Sequence, residues 1–178
     1  MEAFAAVLRR VPPGRPVRPV VLHGYAVAVA ERHDRRSTAR DRRLARALHR
    51  RAVEEAQPLP LVAVDVASAW GAWATRHGWW RDAALAYRVL ADARRGLVGA
   101  QHTRGDKRVW IARVADVHVA AATAFSRTGD LAAAVVALDD GRALLLDERL
   151  AYWSTADRLR RGGHPALAAR LESAAAGT

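Results

Sequence analysis

Apolar residues recur at helical spacing along most of the chain, interrupted by short clusters of Gly, Pro and charge, and this pattern predicts a succession of α-helices. In residues 2–10, Phe4, Val7 and Leu8 share one side, and the Pro12-Pro13-Gly14 run must stop the helix. Residues 20–32 are apolar almost all round, as in a buried helix, and the polar stretch 33–37 is expected to break it. From 38 to 56 the pattern turns amphipathic, with Leu44, Ala47, Leu48 and Ala52 inward and Arg40, Arg43, Arg46 and Arg50 outward, closed by Pro58 and Pro60. A helix over 61–77 should end at Gly78, whose missing Cβ suits a left-handed turn, and 80–95 should answer it antiparallel. Three glycines in 96–105 predict a mobile connection. Asp106 is placed to cap a helix carrying Trp110, Val114, Val117, Ala121 and Phe125, and Asp130 the next, carrying Leu131, Val135, Leu138, Ala143 and Leu146. Gly141 inside that helix costs about 1 kcal/mol against Ala, which points to close packing or a bend. The tail reads as a helix over 152–160, a Gly162-Gly163 break, and a last helix from Pro165, a good first helical residue.

Two stretches repeat each other 51 residues apart: Gly71, Gly78, Trp80, Ala83, Tyr87, Leu90 and Ala122, Gly129, Leu131, Ala134, Leu138, Gly141. A repeated helical hairpin follows, because one unit cannot bury its own apolar face and stacks on the next. Gly24 extends the series backward, with 33–41 as a longer charged loop in a degenerate first unit. The expected fold is all-α, one domain over 1–178, with antiparallel hairpins stacked in approximate units 1–57, 58–105 and 106–150 and capping helices in 151–176.

The spacing of small residue, Gly, large apolar residue, Ala, then aromatic or Leu resembles the tetratricopeptide repeat. That family uses the small residues to let two helices approach, and its resemblance implies a short α-solenoid that holds a protein or peptide. More narrowly, AAVLRRVPPGRPVRP (5–19), WATRHGWWRDAALAY (73–87), RTGDLAAAVVALDDGRALLLDERL (127–150) and LRRGGHPALAARL (159–171) are similar to the helical-repeat region of actinobacterial proteins that end in a CHAT domain, a caspase-like peptidase. The peptidase is not among these 178 residues and the chain has no Cys to serve as its nucleophile, so that activity is not expected here.

Composition narrows the chemistry. The absence of Cys removes disulfides and thiolate metal sites. No uncharged run of eighteen apolar residues and no secretory leader is evident, so a soluble, cytoplasmic protein without a membrane partner is expected. Net charge is +11, carried almost wholly by Arg, with Lys107 the only lysine. Nine arginines fall between 32 and 51, a cluster able to meet an acidic protein or, as a further alternative function, the phosphates of a nucleic acid. Aromatic residues are absent from it, which argues against single-strand stacking on nucleic acid.

The resemblance implies that the first helix of each hairpin lines a concave face. There Asp65, Ser68, Ala72, Thr75 and Arg76 recur in phase with Asp116, Val119, Thr123, Ser126 and Arg127, a polar groove for a peptide's backbone and carboxylates. Arg76 and Arg127 are the expected anion anchors, and Trp79, next to Trp80 and so pointing elsewhere, is the exposed aromatic candidate. Self-association is a further possibility for such a surface. The same residue types leave open a Trp-lined small-molecule pocket at 70–80, with His77 or His118 as acid or base. The seven His have no metal-ligand spacing, so neither metal nor cofactor is expected.

Overall fold

The computed structural model describes residues 2–100 and 115–176, with side chains described outside 97–100, 115–116, 144–154 and 174–176. Among the described residues the chain is helical, without strands: α1 (Glu2–Arg10), α2 (Val17–Arg36), α3 (Ala39–Ala56), α4 (Pro60–Arg76), α5 (Trp80–Ala100), α6 (Ala115–Arg127), α7 (Leu131–Arg161) and α8 (Pro165–Ala176). The all-α expectation is met.

Consecutive helices pair as α2/α3, α4/α5, α6/α7 and α7/α8. Between pairs, α2 touches α4, α4 touches α6, and α3 touches α5, so like helices of neighbouring pairs lie together. The core runs through these contacts as Leu22, Val29, Ala45, Ala52, Val66, Trp70, Trp73, Ala83, Ala86, Tyr87, Ala124 and Phe125. Small residues dominate it because helix axes can then approach closely. At Gly71 a Cβ would sit 2.6 Å from Tyr87 Cε1, and at Gly141 it would sit 2.9 Å from His118 Cβ. Close packing, not a bend, therefore accounts for Gly141.

One turn is used three times. Gly78, Gly129 and Gly163 have φ of +68°, +83° and +82°. In each, the next amide donates to a carbonyl five residues back: Trp79 to Ala74 (2.9 Å), Asp130 to Phe125 (2.9 Å), His164 to Leu159 (2.8 Å). This closes the orphan carbonyls of the preceding helix. The third copy, with Ala168 buried where Ala83 and Ala134 are, was not part of the repeat read from sequence.

Several sequence expectations change. The polar stretch 33–37 does not break α2, which runs to Arg36. Ser37 alone takes the left-handed turn (φ 51°), and Thr38 caps α3 by accepting from the Asp41 amide at 3.2 Å. His33 is buried and donates from Nδ1 to the Thr38 carbonyl, so a polar residue is satisfied inside the hairpin. The expected connection at 96–105 is helical as far as Ala100, and the rest of it, with Asp106, Trp110 and Val114, lies outside the described residues. α7 continues unbroken past 150 into the segment expected as a separate cap. Gly24 differs in role from Gly71, since a Cβ there would meet Phe4 of α1 (3.0 Å) and not the second helix of its hairpin. Ala47 is exposed and Arg46 half-buried, the reverse of the expected sides.

Candidate functional site

The exposed face of α4 carries Asp65, Ala72 and Arg76, with Ser68 half-buried between them. The matching face of α6 carries Val119, Thr123, Ser126 and Arg127, all exposed. The helices that carry the two predicted rows, α4 and α6, are in contact. The side chain of Asp116 lies outside the described residues. Thr75 leaves the row, because its hydroxyl bonds the phenol of buried Tyr87 at 3.1 Å.

The two arginines differ in circumstance. Arg76 lies 3.7 Å from Asp34 on α2 and is partly neutralised there. Arg127 is held with its guanidinium 5.7 Å from the Trp80 ring centre, a cation–π distance, and has no carboxylate partner among the described residues. Thr123 donates to the Val119 carbonyl at 2.8 Å, which leaves its oxygen lone pairs for an incoming N–H.

Asp34 is the polar residue that sequence reading missed. Its Oδ1 accepts from Trp73 Nε1 (3.0 Å) and His77 Nε2 (2.8 Å). Burial works to raise its pKa, but the hydrogen bonds from Trp73 and His77 and the nearby Arg76 outweigh that and hold it below the ordinary carboxylate value. Trp79 is not a free aromatic: it stacks on His77 at 4.4 Å and takes the edge of Trp73 at 4.7 Å. Trp70 and Trp73 are core, against His49. Trp79 and Trp80 are half-buried and His77 is exposed.

His118 is buried too. It donates from Nδ1 to the Ala137 carbonyl (3.0 Å), and its Nε2 receives Arg94 Nη1 (3.2 Å), which fixes one neutral tautomer. Burial and then Arg94 lower its pKa. His49 on α3 has neither ring nitrogen partnered, and burial pushes its pKa down to about 3. Among the described residues no group of three or more His, Asp or Glu could hold a metal ion, and no helix is long and apolar enough to cross a membrane.

The Arg cluster is less free than its sequence suggests. Asp41 receives Arg32 Nε at 2.9 Å, buried Asp82 on α5 receives Arg46 Nη2 at 2.9 Å, and Arg51 pairs with Glu55. Arg43, Arg46, Arg50 and Arg51 with Glu54 line an open concavity of about 460 Å³ on α3. Asp41 and Asp82 each stand at the third position of a hairpin's second helix in an Arg-rich chain. That shared register was the signal available in the sequence.

No protein family, curated protein or solved structure matches this chain.

Proposed function

We propose that the chain is a tetratricopeptide-like interaction module that grips an acidic peptide or protein segment along the exposed face of α4 and α6. Arg127 carries this reading. It is exposed, oriented by Trp80, lacks a described acidic partner, and stands beside the Thr123 and Ser126 hydroxyls. A guanidinium so held loses little entropy on forking to a carboxylate. Arg76, one repeat earlier, is the second anchor once a ligand carboxylate competes with Asp34. Asp65 and Ser68 supply acceptors for backbone N–H groups between them. A net charge of +11 draws an acidic partner to the surface and makes the encounter sensitive to salt.

The test is titration of acidic and neutral peptide libraries against the full chain and against Arg127→Glu and Arg76→Glu. Arg127→Glu should abolish capture of acidic peptides, while Arg76→Glu should weaken it less. Equal binding by all three proteins removes the groove.

A further inference from the structure

The three glycine turns set a register for the second, third and fourth hairpins. Seven residues before each turn glycine stand Gly71, Ala122 and Ala156, all buried, and five after it stand Ala83, Ala134 and Ala168, also buried. The third and fourth turns are 34 residues apart. Residues 155–176 are therefore a hairpin built on the same plan as the two before it.

Its placement is different. α6 folds back from the second hairpin and packs on both α4 and α5. Contact is made by Arg127 over Trp80, by Arg88 of α5 over the Phe125 ring, and by an ion pair from Arg88 to Asp130. The third and fourth hairpins instead share one uninterrupted helix, α7, whose 31 residues span about 46 Å. A rod of this kind carries the fourth hairpin away from the surface it would otherwise cover.

That surface stays open. Leu131, Val135 and Leu138, at i, i+4 and i+7 on α7, are 65%, 57% and 44% exposed. Their equivalents on α5 are Trp80, half-buried, and Ala84 and Tyr87, only 5% and 4% exposed. An apolar stripe thus lies open at the positions that are closed one repeat earlier, against the usual economy of soluble surfaces.

We propose that this stripe is the docking surface for residues 155–176 of a second copy of the chain, in a reciprocal two-fold dimer. Because α7 runs unbroken into its own fourth hairpin, that hairpin does not fold back on the stripe, and two copies exchanging hairpins satisfy both stripes at once. The polar contacts also have counterparts. Where Phe125 lies under Arg88 and Arg88 pairs with Asp130, the incoming hairpin brings Leu159 and His164 to Asp139. Donor and acceptor have changed sides, and Asp139 is exposed. Arg161 arrives at Leu131 as Arg127 does at Trp80. This surface lies on α7, apart from the peptide-binding reading of α4 and α6, and does not depend on it.

Because the chain has no Cys, a disulfide can report the geometry without background. Light scattering of the full chain should give twice the 19.4 kDa monomer. Val135→Asp with Leu138→Asp should return it to monomer with unchanged helical circular dichroism, since both side chains are exposed. Asp139→Cys with His164→Cys in one chain should oxidise to a covalent dimer on a non-reducing gel. A monomer at the highest soluble concentration overturns the proposal, as does a dimer that survives the two Asp substitutions. An intramolecular disulfide overturns it as well, since it would mean that the hairpin folds back onto its own stripe.

Discussion

Tyr87 occupies the space that a side chain on Gly71 would need: a Cβ there would lie 2.6 Å from the Tyr87 ring. The ring cannot retreat easily, because it is buried and its hydroxyl is bonded to Thr75. Gly71→Ala should therefore lose about 1–2 kcal/mol, overpacking exceeding the gain in helix propensity. Urea unfolding reads this, and Tyr87→Leu in the same chain should relieve much of it, a coupling visible in a double-mutant cycle. Gly24→Ala, facing the ring of Phe4 on α1, should cost less than Gly71→Ala.

His49 gives the fold an acid limit. Its native pKa is pushed down to about 3 from an ordinary 6.5, so between those values the unfolded chain takes up a proton that the native one refuses. Stability is complete above about pH 6.5 and falls as pH drops towards 3. At pH 5 the loss from this residue is about 2 kcal/mol. His23 and His118 shift in the same direction and add to it. His49→Leu removes two unpartnered nitrogens and this titration. Melting temperature against pH should flatten in the variant, with a larger gain at pH 5 than at pH 8.

Asp34 ties α2 to α4. Asp34→Ala leaves the Trp73 indole N–H buried without its acceptor and should cost about 1–3 kcal/mol, read by chemical denaturation. Asp34→Asn keeps an acceptor and should cost less. The wild-type carboxyl lies below its ordinary value of 3.8, so its contribution is present above that pH and is lost as pH falls through the lower native value.

The pair between α3 and α5 should respond unequally to removal of its two ends. Arg46→Ala leaves buried Asp82 with Arg50 alone, 4.0 Å away, and should cost about 3 kcal/mol, whereas Asp82→Asn leaves Arg46, which is 42% exposed, to water and should cost about 1 kcal/mol. Equal losses in thermal unfolding would contradict the burial of Asp82.

What the sequence made legible was local. Gly78 and Gly129 announced their turns because only a residue without Cβ takes that φ cheaply, and Asp130 announced its cap by preceding an apolar run. The rows from Asp65 to Arg76 and from Val119 to Arg127 followed from helical period once the turns were placed. What failed were readings in which polarity stood for exposure. His33 looked like a break, yet it is paired with a carbonyl inside the hairpin. Leu131, Val135 and Leu138 looked like core, yet Ala134, Ala137 and Gly141 are the residues turned to α6, because close approach there selects for small side chains. Asp34, Asp41 and Asp82 owe their roles to partners that the fold brings near, and two of the three pairings cross between hairpins. The shared first-turn position of Asp41 and Asp82 marks them in the sequence, but no local pattern names the partner of any of the three.

Arg18 has a consequence for how the molecule comes apart. α1 contains no fully buried residue, and its end is held by the Arg18 guanidinium, which bonds the carbonyls of Leu8 (2.9 Å) and Val11 and reaches Glu55 on α3. The first helix thus has a polar latch at its end beside the apolar contacts of Phe4 with Tyr25 and of Leu8 with the core. Such a latch is the earliest to open under denaturant, baring the Gly24 side of α2 while the glycine-turn hairpins remain closed, and amide exchange should report it as a separate, low-energy event.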